Sequence, residues 1–498
     1  MSRNRIILVT IGIMLSLFLA SMESTVVATA MPTIVGQLGG LEHYSWVFSA
    51  FMLTSTTTVP LYGKLSDLYG RRNIYLAAML IFLIGSILSG MSHSMTQLIF
   101  ARALQGLGAG GVSPMAFILI GEMFTLEQRA KMQGFFSGVW GVSSIAGPLL
   151  GGFIVDQLSW NWVFYVNIVP GLFAAALVAF AWVDHPRSQT KLSIDYAGAT
   201  LLTLSVVVLL LGLMETGTTF SWLLLGAAVL LFAALLWVES RAADPILPIP
   251  LFRQDRLFAS SIVHGITSGW ALFGTISFIP LFVQSVIGTS ATQAGLTITP
   301  LLLGWVAASI IGTRLLLRTG YYRLAIGGTS LLFIGSILLA TVNENTSQVL
   351  LMSYITLMGI GMGFSIPSFL IAVQTKVERR YLGSATSMLQ FSRSIGGTLG
   401  VSAMGAALGA RLAANLSASG LDPKLVTQLL DPTASGTEAA LGTSVRLAVA
   451  DAIGIVFVIA LFAAALALAT VLFFMPRMNL SEIKSAGVEK PSLPVSTD

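Results

Sequence analysis

Four charged side chains lie inside long apolar stretches of this chain, where an ionised group is costly to bury. They are Glu23, Arg102, Arg393 and Asp451. A carboxylate with apolar neighbours can take up and release a proton as its surroundings change, and a guanidinium can bind an anion or an acid. These four residues are therefore the first candidates for chemistry in a strongly apolar sequence.

Each candidate also has a structural alternative. Glu23 has no cation within one helical turn, so it could exchange protons, contact a cationic ligand in a wet cavity, or do neither. Arg102 could extend toward the membrane surface or bind backbone carbonyls. Arg393 could bind anions or form an ion pair between helices. Asp451, near a helix end, could lie at the membrane interface or join a proton path.

The elements that position these residues are predicted membrane helices. Of the 498 residues, 55% are hydrophobic and 9% are charged, with a mean hydropathy of +0.86. Soluble domains carry about 25% charged residues, so this is the composition of a membrane protein. The apolar runs are continuous rather than alternating, which predicts an all-α integral membrane protein instead of a β-barrel. Fourteen spans are predicted: 6–30, 45–62, 73–90, 97–121, 132–155, 163–183, 196–214, 222–238, 258–284, 293–313, 324–341, 349–373, 381–409 and 448–475.

Several function classes are excluded by what the sequence lacks. It has no cysteine, so disulfides and thiolate chemistry are absent. It contains neither a G-x-x-x-x-G-K-[ST] loop nor an H-E-x-x-H motif, so we expect no ATP site, no metal, no cofactor and no enzymatic activity. The net charge of +5 is dispersed among the gaps between spans, which favours a topology signal over nucleic-acid binding.

The basic residues fall in alternate gaps between the spans. With the N-terminus inside, the inner segments hold nearly every Lys and Arg, and the six short outer loops hold none. The positive-inside rule then predicts a cytoplasmic-membrane protein with both termini in the cytoplasm.

Two halves of six spans each are predicted, separated by an insert. We expect a six-helix bundle at 1–192, a two-helix insert at 193–240, a proline-rich cytoplasmic linker at 241–257 and a second bundle at 258–478. That bundle contains a long outer loop at 410–447, and a cytoplasmic tail follows at 479–498. Transporters often place their substrate site between two such repeats, near the middle of the membrane.

Two glycine-containing motifs accompany the charged candidates. The first is Gly63-Lys-Leu-Ser-Asp67-Leu-Tyr-Gly70-Arg71-Arg72, where glycines permit a tight turn and the acid can meet cations or a helix N-terminus. The second comprises Gly147-Pro148 and Gly151-Gly152 inside the fifth span, where proline removes a backbone hydrogen bond and glycine admits a close neighbour. A charged anchoring turn and ordinary small-residue packing are the respective alternatives.

These motifs resemble those of a known family. Residues 63–72 closely resemble the loop motif of the major facilitator superfamily, and Arg102 through Gly110 resembles its fourth-helix motif. Gly141 through Gly152 resembles the fifth-helix motif of its antiporters. The chain also resembles the 14-span drug:proton antiporters of the EmrB/QacA type. The shared features are Trp160-Asn-Trp162 with Asn167 and Pro170, the proline-rich linker and the fourteen predicted spans.

The resemblance implies a role for each motif. A cytoplasmic latch between the two bundles would be formed by Gly63, Asp67, Gly70 and Arg71. In the second half, Leu317 occupies the position where the matching acid would be. Glu23, where the family usually has Asp, would couple transport to protons together with Arg102. The helix that carries Gly147, Pro148, Gly151 and Gly152 would favour export.

The function expected from this resemblance is proton-coupled efflux of small hydrophobic or cationic compounds by a monomer in the lipid bilayer. Arg393 and Asp451, with aromatic residues such as Trp140, Phe278 and Phe391, could contribute to the substrate site, although each aromatic could instead face lipid or the core. Two other functions remain open: a dedicated exporter of a metabolite, lipid or antibiotic, and a structural or sensory membrane protein that does not transport.

Overall fold

Long apolar helices dominate the computed structural model, which describes residues 2–38, 44–183, 195–214, 219–242, 247, 249–289, 291–378, 381–418 and 443–477. Ten helical spans in these ranges are long and apolar enough to cross a bilayer. The chain is therefore a multi-pass, all-helical membrane protein, as the continuous apolar runs predict.

Seven helices precede the middle segment. They are α1 (Arg3–Leu38), α2 (Tyr44–Tyr69), α3 (Arg71–Gly90), α4 (Met95–Met123), α5 (Leu126–Gln157), α6 (Trp162–Tyr165) and α7 (Ile168–Ala181). Helix α1 packs against α4, α5 and α7, while α2 and α3 both pack against α4. We call these seven helices the first bundle.

The middle segment contains α8 (Tyr196–Met214), α9 (Thr219–Glu239) and α10 (Ile249–Gln254). Helices α8 and α9 pack against each other, and α8 also contacts α2 of the first bundle. The short helix α10 lies within the segment 241–257, where three prolines disfavour a continuous helix.

The second bundle repeats the pairing of the first. Its helices are α11 (Arg256–Phe282), α12 (Ala291–Thr319), α13 (Tyr321–Ala340), α14 (Gln348–Lys376), α15 (Leu382–Ala418) and α16 (Thr443–Phe473), with a π-helical turn at Val283–Ile287 extending α11. Helix α11 packs against α15 and α16, and α12 and α13 pack against α14. The equivalent turns before α3 and α13 each use a glycine with positive φ, 98° at Gly70 and 83° at Gly320.

Most of the basic side chains gather at one end of the helices. Helices α1, α3, α5, α11 and α13 begin at this end, and α2, α4, α9, α12, α14 and α16 finish there. We call it the basic end, after the following residues that lie at or beside those helix termini: Arg3, Arg71, Arg129, Arg241, Arg256, Arg318, Arg323, Lys376 and Arg477.

The two bundles touch from the basic end to the middle of their helices. Helix α2 packs against α15, and α5 packs against α12. Near mid-helix the hydroxyls of Ser137 and Ser309 are 2.7 Å apart, and both side chains are buried. The conformation is therefore closed at the basic end.

Some boundaries differ from the sequence predictions. The predicted span 163–183 corresponds to one apolar span, Trp162–Ala181, in which a turn at Val166 and Asn167 separates α6 from α7 while both residues keep helical φ and ψ. Helix α15 continues to Ala418, and α16 begins at Thr443, so both ends of the predicted loop 410–447 are helical. The rest of that loop and the tail 479–498 lie outside the described residues.

Candidate functional site

A buried ion pair links the two charged candidates of the first bundle. Arg102 on α4 donates through Nη1 to Glu23 Oε1 on α1, and each side chain is only 1% exposed. The same nitrogen donates to Gln105 Oε1 at 2.6 Å, and the guanidinium carbon lies 4.3 Å from the centre of the Phe51 ring. Arg102 therefore does not extend to the membrane surface.

Two further polar side chains, Asn167 and Ser86, complete a hydrogen-bond network around this pair. Asn167 donates through Nδ2 to Glu23 Oε2 at 2.8 Å and to Ser86 Oγ at 3.1 Å. Ser86 also accepts from Gln105 Nε2 at 3.2 Å and donates to the Phe164 carbonyl at 2.8 Å. Both oxygens of the Glu23 carboxylate thus have a donor, one cationic and one neutral.

Asn167 lies at the turn between α6 and α7 and reaches this network from there. Asn167 stands at the N-cap of α7, but its side chain forms no hydrogen bond with the backbone of that helix. The amide turns instead toward Glu23 on α1 and Ser86 on α3.

The charges of the network balance only while Glu23 is ionised. A buried cation is strongly destabilising when its counter-charge is removed, because protein groups replace water imperfectly. A proton on Glu23 would leave Arg102 with neutral partners, namely Gln105 and the more distant Val47 carbonyl at 3.5 Å. Loss of the charge on Glu23 would therefore leave a buried cation without a counter-charge.

Gly147 brings α5 against the helix that carries Glu23. A methyl group built on Gly147 would overlap the hydroxyl of Thr25, two residues from Glu23. A methyl group on Gly152 would meet no atom within 4 Å. Gly151 is buried in the same helix, while the side chain of Pro148 lies outside the described residues. Within this motif, close approach is thus required at Gly147 and not at Gly152.

Asp67 joins the two bundles at the basic end. Its Oδ1 accepts from the Gly383 amide at 3.0 Å, and its Oδ2 accepts from the Ser384 amide and hydroxyl, each at 2.8 Å. These donors lie at the start of α15, where the helix dipole favours a negative charge. A methyl group on Gly63 would overlap Ser387, so α2 can approach α15 this closely only with glycine there.

Arg71 connects this contact to a second acid. Arg71 Nη1 is 2.5 Å from Asp67 Oδ1 and donates to Ser66 Oγ at 2.6 Å. Its Nε donates to Glu122 Oε2 at 3.0 Å. Gly70, with its positive φ, forms the turn that sets Arg71 at the start of α3.

A second contact between the bundles at the basic end involves Arg129. Its Nη1 donates to the Gln374 carbonyl on α14 at 3.2 Å. The Arg129 residue is only 7% exposed. Gln374 in turn donates through Nε2 to the Phe117 carbonyl at 3.1 Å. At the basic end, a side chain of each bundle thus donates to a backbone carbonyl of the other bundle.

The other predicted substrate or charge residues do not gather at one place. Asp451 is exposed and binds Arg411 Nε at 2.8 Å and Asn415 Nδ2 at 2.9 Å, away from the buried pair. Phe391 is buried in the core, Phe278 is half-buried, and Trp140 is 50% exposed on α5. Arg393 is half-buried beside a small cavity of the second bundle.

Several residues at these sites carry no role in the sequence predictions, among them Ser86, Glu122 and Asn167. Asn167 carries a polar amide within an apolar stretch, and this is the same sequence signal that marks Glu23. Ser86 resembles many other serines in apolar helices, and Glu122 lies at a helix end, so neither is distinctive without its contacts.

Comparison with known proteins identifies the family. The sequence model described as the Major Facilitator Superfamily matches residues 13–401. The chain belongs to the major facilitator superfamily. It is 41% identical over 410 residues to the multidrug transporter protein MdtP of Bacillus subtilis (strain 168), covering 81% of this chain and 75% of that protein. It is 37% identical over 403 residues to multidrug resistance protein 3 of the same organism, covering 80% and 78%.

Solved structures of the superfamily share this fold. The proton:xylose symporter XylE superposes with a TM-score of 0.62 at 13% identity, covering 97% of this chain and 99% of that chain. At this identity the likeness shows the major facilitator fold alone. Membership of the superfamily makes the chain a membrane transporter rather than an enzyme.

Proposed function

We propose that this superfamily member is a proton-coupled multidrug efflux antiporter of the 14-span EmrB/QacA type. It exports small hydrophobic and cationic compounds across the cytoplasmic membrane. The names of the relatives at 41% and 37% identity support drug export. The observation that carries proton coupling is the buried pair of Glu23 and Arg102, because a single proton changes its charge balance.

In the proposed architecture, fourteen helices cross the membrane and both termini are cytoplasmic. The first bundle spans 1–192, an insert spans 193–240, a linker spans 241–257, and the second bundle spans 258–478. The alternation of basic residues between helix ends supports this orientation. The basic end is then cytoplasmic, and the conformation described above is closed to the cytoplasm.

The proposed cycle exchanges one drug for at least one proton. A proton from outside neutralises Glu23, which removes the counter-charge of Arg102 and favours a change of conformation. Opening at the basic end separates Asp67 from the start of α15 and admits substrate from the cytoplasm or the inner leaflet. Release of the proton inside restores the pair, and the substrate leaves outside when the basic end closes.

In this proposal, the latch stabilises one conformation and the antiporter helix positions Glu23. Gly63, Asp67, Gly70 and Arg71 stabilise the conformation closed at the basic end, as their contacts with α15 and Glu122 suggest. The α5 segment with Gly147 holds α1 in place beside Glu23. The whole cycle fits within one chain, so we propose that the monomer transports.

The test is ethidium efflux from proteoliposomes under an imposed pH gradient. Wild type should export ethidium when the gradient is present, and Glu23→Gln should lose the response because its side chain cannot ionise. Glu127→Gln is the matched control, since Glu127 is exposed at the start of α5. Gradient-driven efflux that survives in Glu23→Gln would exclude Glu23 as the coupling acid, and no efflux by wild type would exclude broad drug export.

A further inference from the structure

One acceptor in the network around Glu23 and Arg102 is empty. Asn167 is completely buried, and within the part of the chain that the structure describes, its Oδ1 has no hydrogen-bond donor. Buried polar atoms without a partner are rare, because each one loses its bond to water and gains nothing in return. The empty oxygen belongs to the same amide that touches the candidate coupling acid.

The nitrogen of this amide, in contrast, is fully used. Asn167 Nδ2 donates to Glu23 Oε2 at 2.8 Å and to Ser86 Oγ at 3.1 Å. An asparagine amide has two N–H donors and one acceptor oxygen, so the side chain serves the carboxylate with its nitrogen alone. The network requires this orientation, because an amide oxygen in place of Nδ2 would face the negative carboxylate.

The two oxygens of Glu23 have different neighbours. Oε1 accepts from the Arg102 cation, while Oε2 accepts from the neutral amide of Asn167. Helices α2, α4, α5, α6 and α7 pack against α1, and Arg102 on α4 is the one charged group on their described residues that pairs with Glu23. A proton on Oε1 would point at a positive charge, so Oε2 is the oxygen that can take it.

A proton on Oε2 would change that oxygen from an acceptor into a donor. The amide of Asn167, as it now lies, would present a second donor to it. A turn about the Asn167 Cβ–Cγ bond brings Oδ1 toward Glu23 instead, and this torsion is soft in asparagine. Ser86 tolerates the turn, because its hydroxyl still accepts from Gln105 Nε2 and donates to the Phe164 carbonyl.

We propose that Asn167 is a positioning residue whose hydrogen bond with Glu23 reverses when the acid is protonated. Its Nδ2 donates to the ionised carboxylate, and its Oδ1 accepts from the proton that binds Oε2. The step adds one proton to Glu23 and changes no other covalent bond. Because Oε2 has a partner in both states, Glu23 can exchange its proton inside the bundle without an unsatisfied group on that oxygen. This proposal rests on the proposed proton coupling and assigns it a second residue.

The experiment is infrared difference spectroscopy on the full-length protein in lipid, recorded as acidic minus neutral pH. The protein carries ¹³C at the side-chain carbonyl of its asparagines. In wild type, acidification should produce a carboxylic-acid band from Glu23 and shift a labelled amide band to lower frequency, because Oδ1 gains a hydrogen bond. Glu23→Gln should lose both changes.

Variants at position 167 assign the amide band. Asn167→Leu should keep the Glu23 carboxylic-acid band and lose the shift of the labelled amide, and Asn167→Ala gives the same assignment with a smaller side chain. The matched control is Asn345→Leu, because Asn345 is exposed in an outer turn and should leave both changes intact.

Three results would overturn the proposal. The first is a Glu23 carboxylic-acid band that appears without any shift of the Asn167 amide, which would leave Asn167 with a purely structural role. The second is an amide shift that survives in Glu23→Gln. The third is the absence of a Glu23 carboxylic-acid band at every pH at which the helical backbone bands are unchanged.

Ethidium efflux under a pH gradient separates this proposal from the proposed function. Efflux that depends on Glu23 while the Asn167 amide stays silent would overturn the reversal and leave the antiporter standing. If wild type showed both infrared changes but exported no ethidium, broad drug export would fail while the reversal of the Asn167 hydrogen bond stood.

Discussion

At the residue scale, the Glu23 carboxylate depends on a neutral donor as well as on its cation. Asn167→Leu keeps the size of the side chain but removes the hydrogen bond to Glu23 Oε2. We expect ~10-fold slower gradient-driven ethidium efflux, because hydrogen bonds to charged groups contribute about 1.5–3 kcal/mol. Asn345→Leu, at an exposed asparagine, is the control and should transport normally. Unchanged efflux in Asn167→Leu would show that Arg102 alone positions Glu23.

The residue types at this site were predictable, but their contacts were not. Glu23 and Arg102 are recognisable because ionised residues are costly inside apolar helices. Their pairing joins positions 79 residues apart and depends on how α1 and α4 are rotated against each other. Asn167 reaches the pair because α7 packs against α1 and α3, a contact that the apolar pattern of the span 163–183 does not specify.

At the scale of elements, glycine positions on α5 differ sharply in what surrounds them. Gly147→Ala should reduce transport at least several-fold, because its methyl group would displace Thr25 and the helix that carries Glu23. Gly138→Ala adds the same methyl group to the same helix where no atom lies within 4 Å. It should transport normally and should stabilise the helix slightly. Both are measured by ethidium efflux at matched protein density, and equal effects would remove the packing explanation.

The capping of α15 by Asp67 predicts a shift in conformation. Asp67→Asn removes the negative charge from that helix start and from Arg71, so the form closed at the basic end should lose population. Because the chain has no native cysteine, spin labels can be placed directly at Glu127→Cys and Arg318→Cys, at the basic ends of α5 and α12. Pulsed electron spin resonance should show a longer mean distance in the Asp67→Asn background.

Asp255→Asn is the control for that shift. Asp255 caps α11 and binds Lys376, and both contacts lie within the second bundle. Its substitution weakens a helix start without weakening the junction between bundles, so the distance distribution should match wild type. A similar shift in both variants would mean that general destabilisation, and not the latch, moves the labels.

At the scale of the whole molecule, transport requires the two bundles to separate at the basic end. Ser137 and Ser309 face each other across the junction with hydroxyl oxygens 2.7 Å apart. The double variant Ser137→Cys/Ser309→Cys should form a disulfide on oxidation, because the two side chains already meet across the junction. Oxidation should stop ethidium efflux and reduction should restore it, while each single variant should ignore the oxidant. Full transport by the cross-linked protein would contradict alternating access.

Much of the overall organisation follows from sequence pattern alone. Apolar runs predict the helices, and alternating basic gaps predict that one end carries the positive charge. The turns at Gly70 and Gly320 show the repeat in sequence and in backbone geometry. The junction between the bundles does not follow in this way. It is made by small residues such as Gly63, Ser137 and Ser309, whose types occur throughout the chain.

The pairing of Arg102 with Glu23 also bears on how the chain enters the membrane. A lone arginine inside a membrane helix raises the cost of insertion, by about 2.5–3.5 kcal/mol at the helix centre on translocon scales, and Arg102 lies about two turns from the start of α4. Synthesis delivers α1 before α4, so Glu23 is made before Arg102. If α1 and α4 meet during insertion, Glu23 offsets part of the cost of Arg102, and we expect loss of Glu23 to lower the amount of inserted protein.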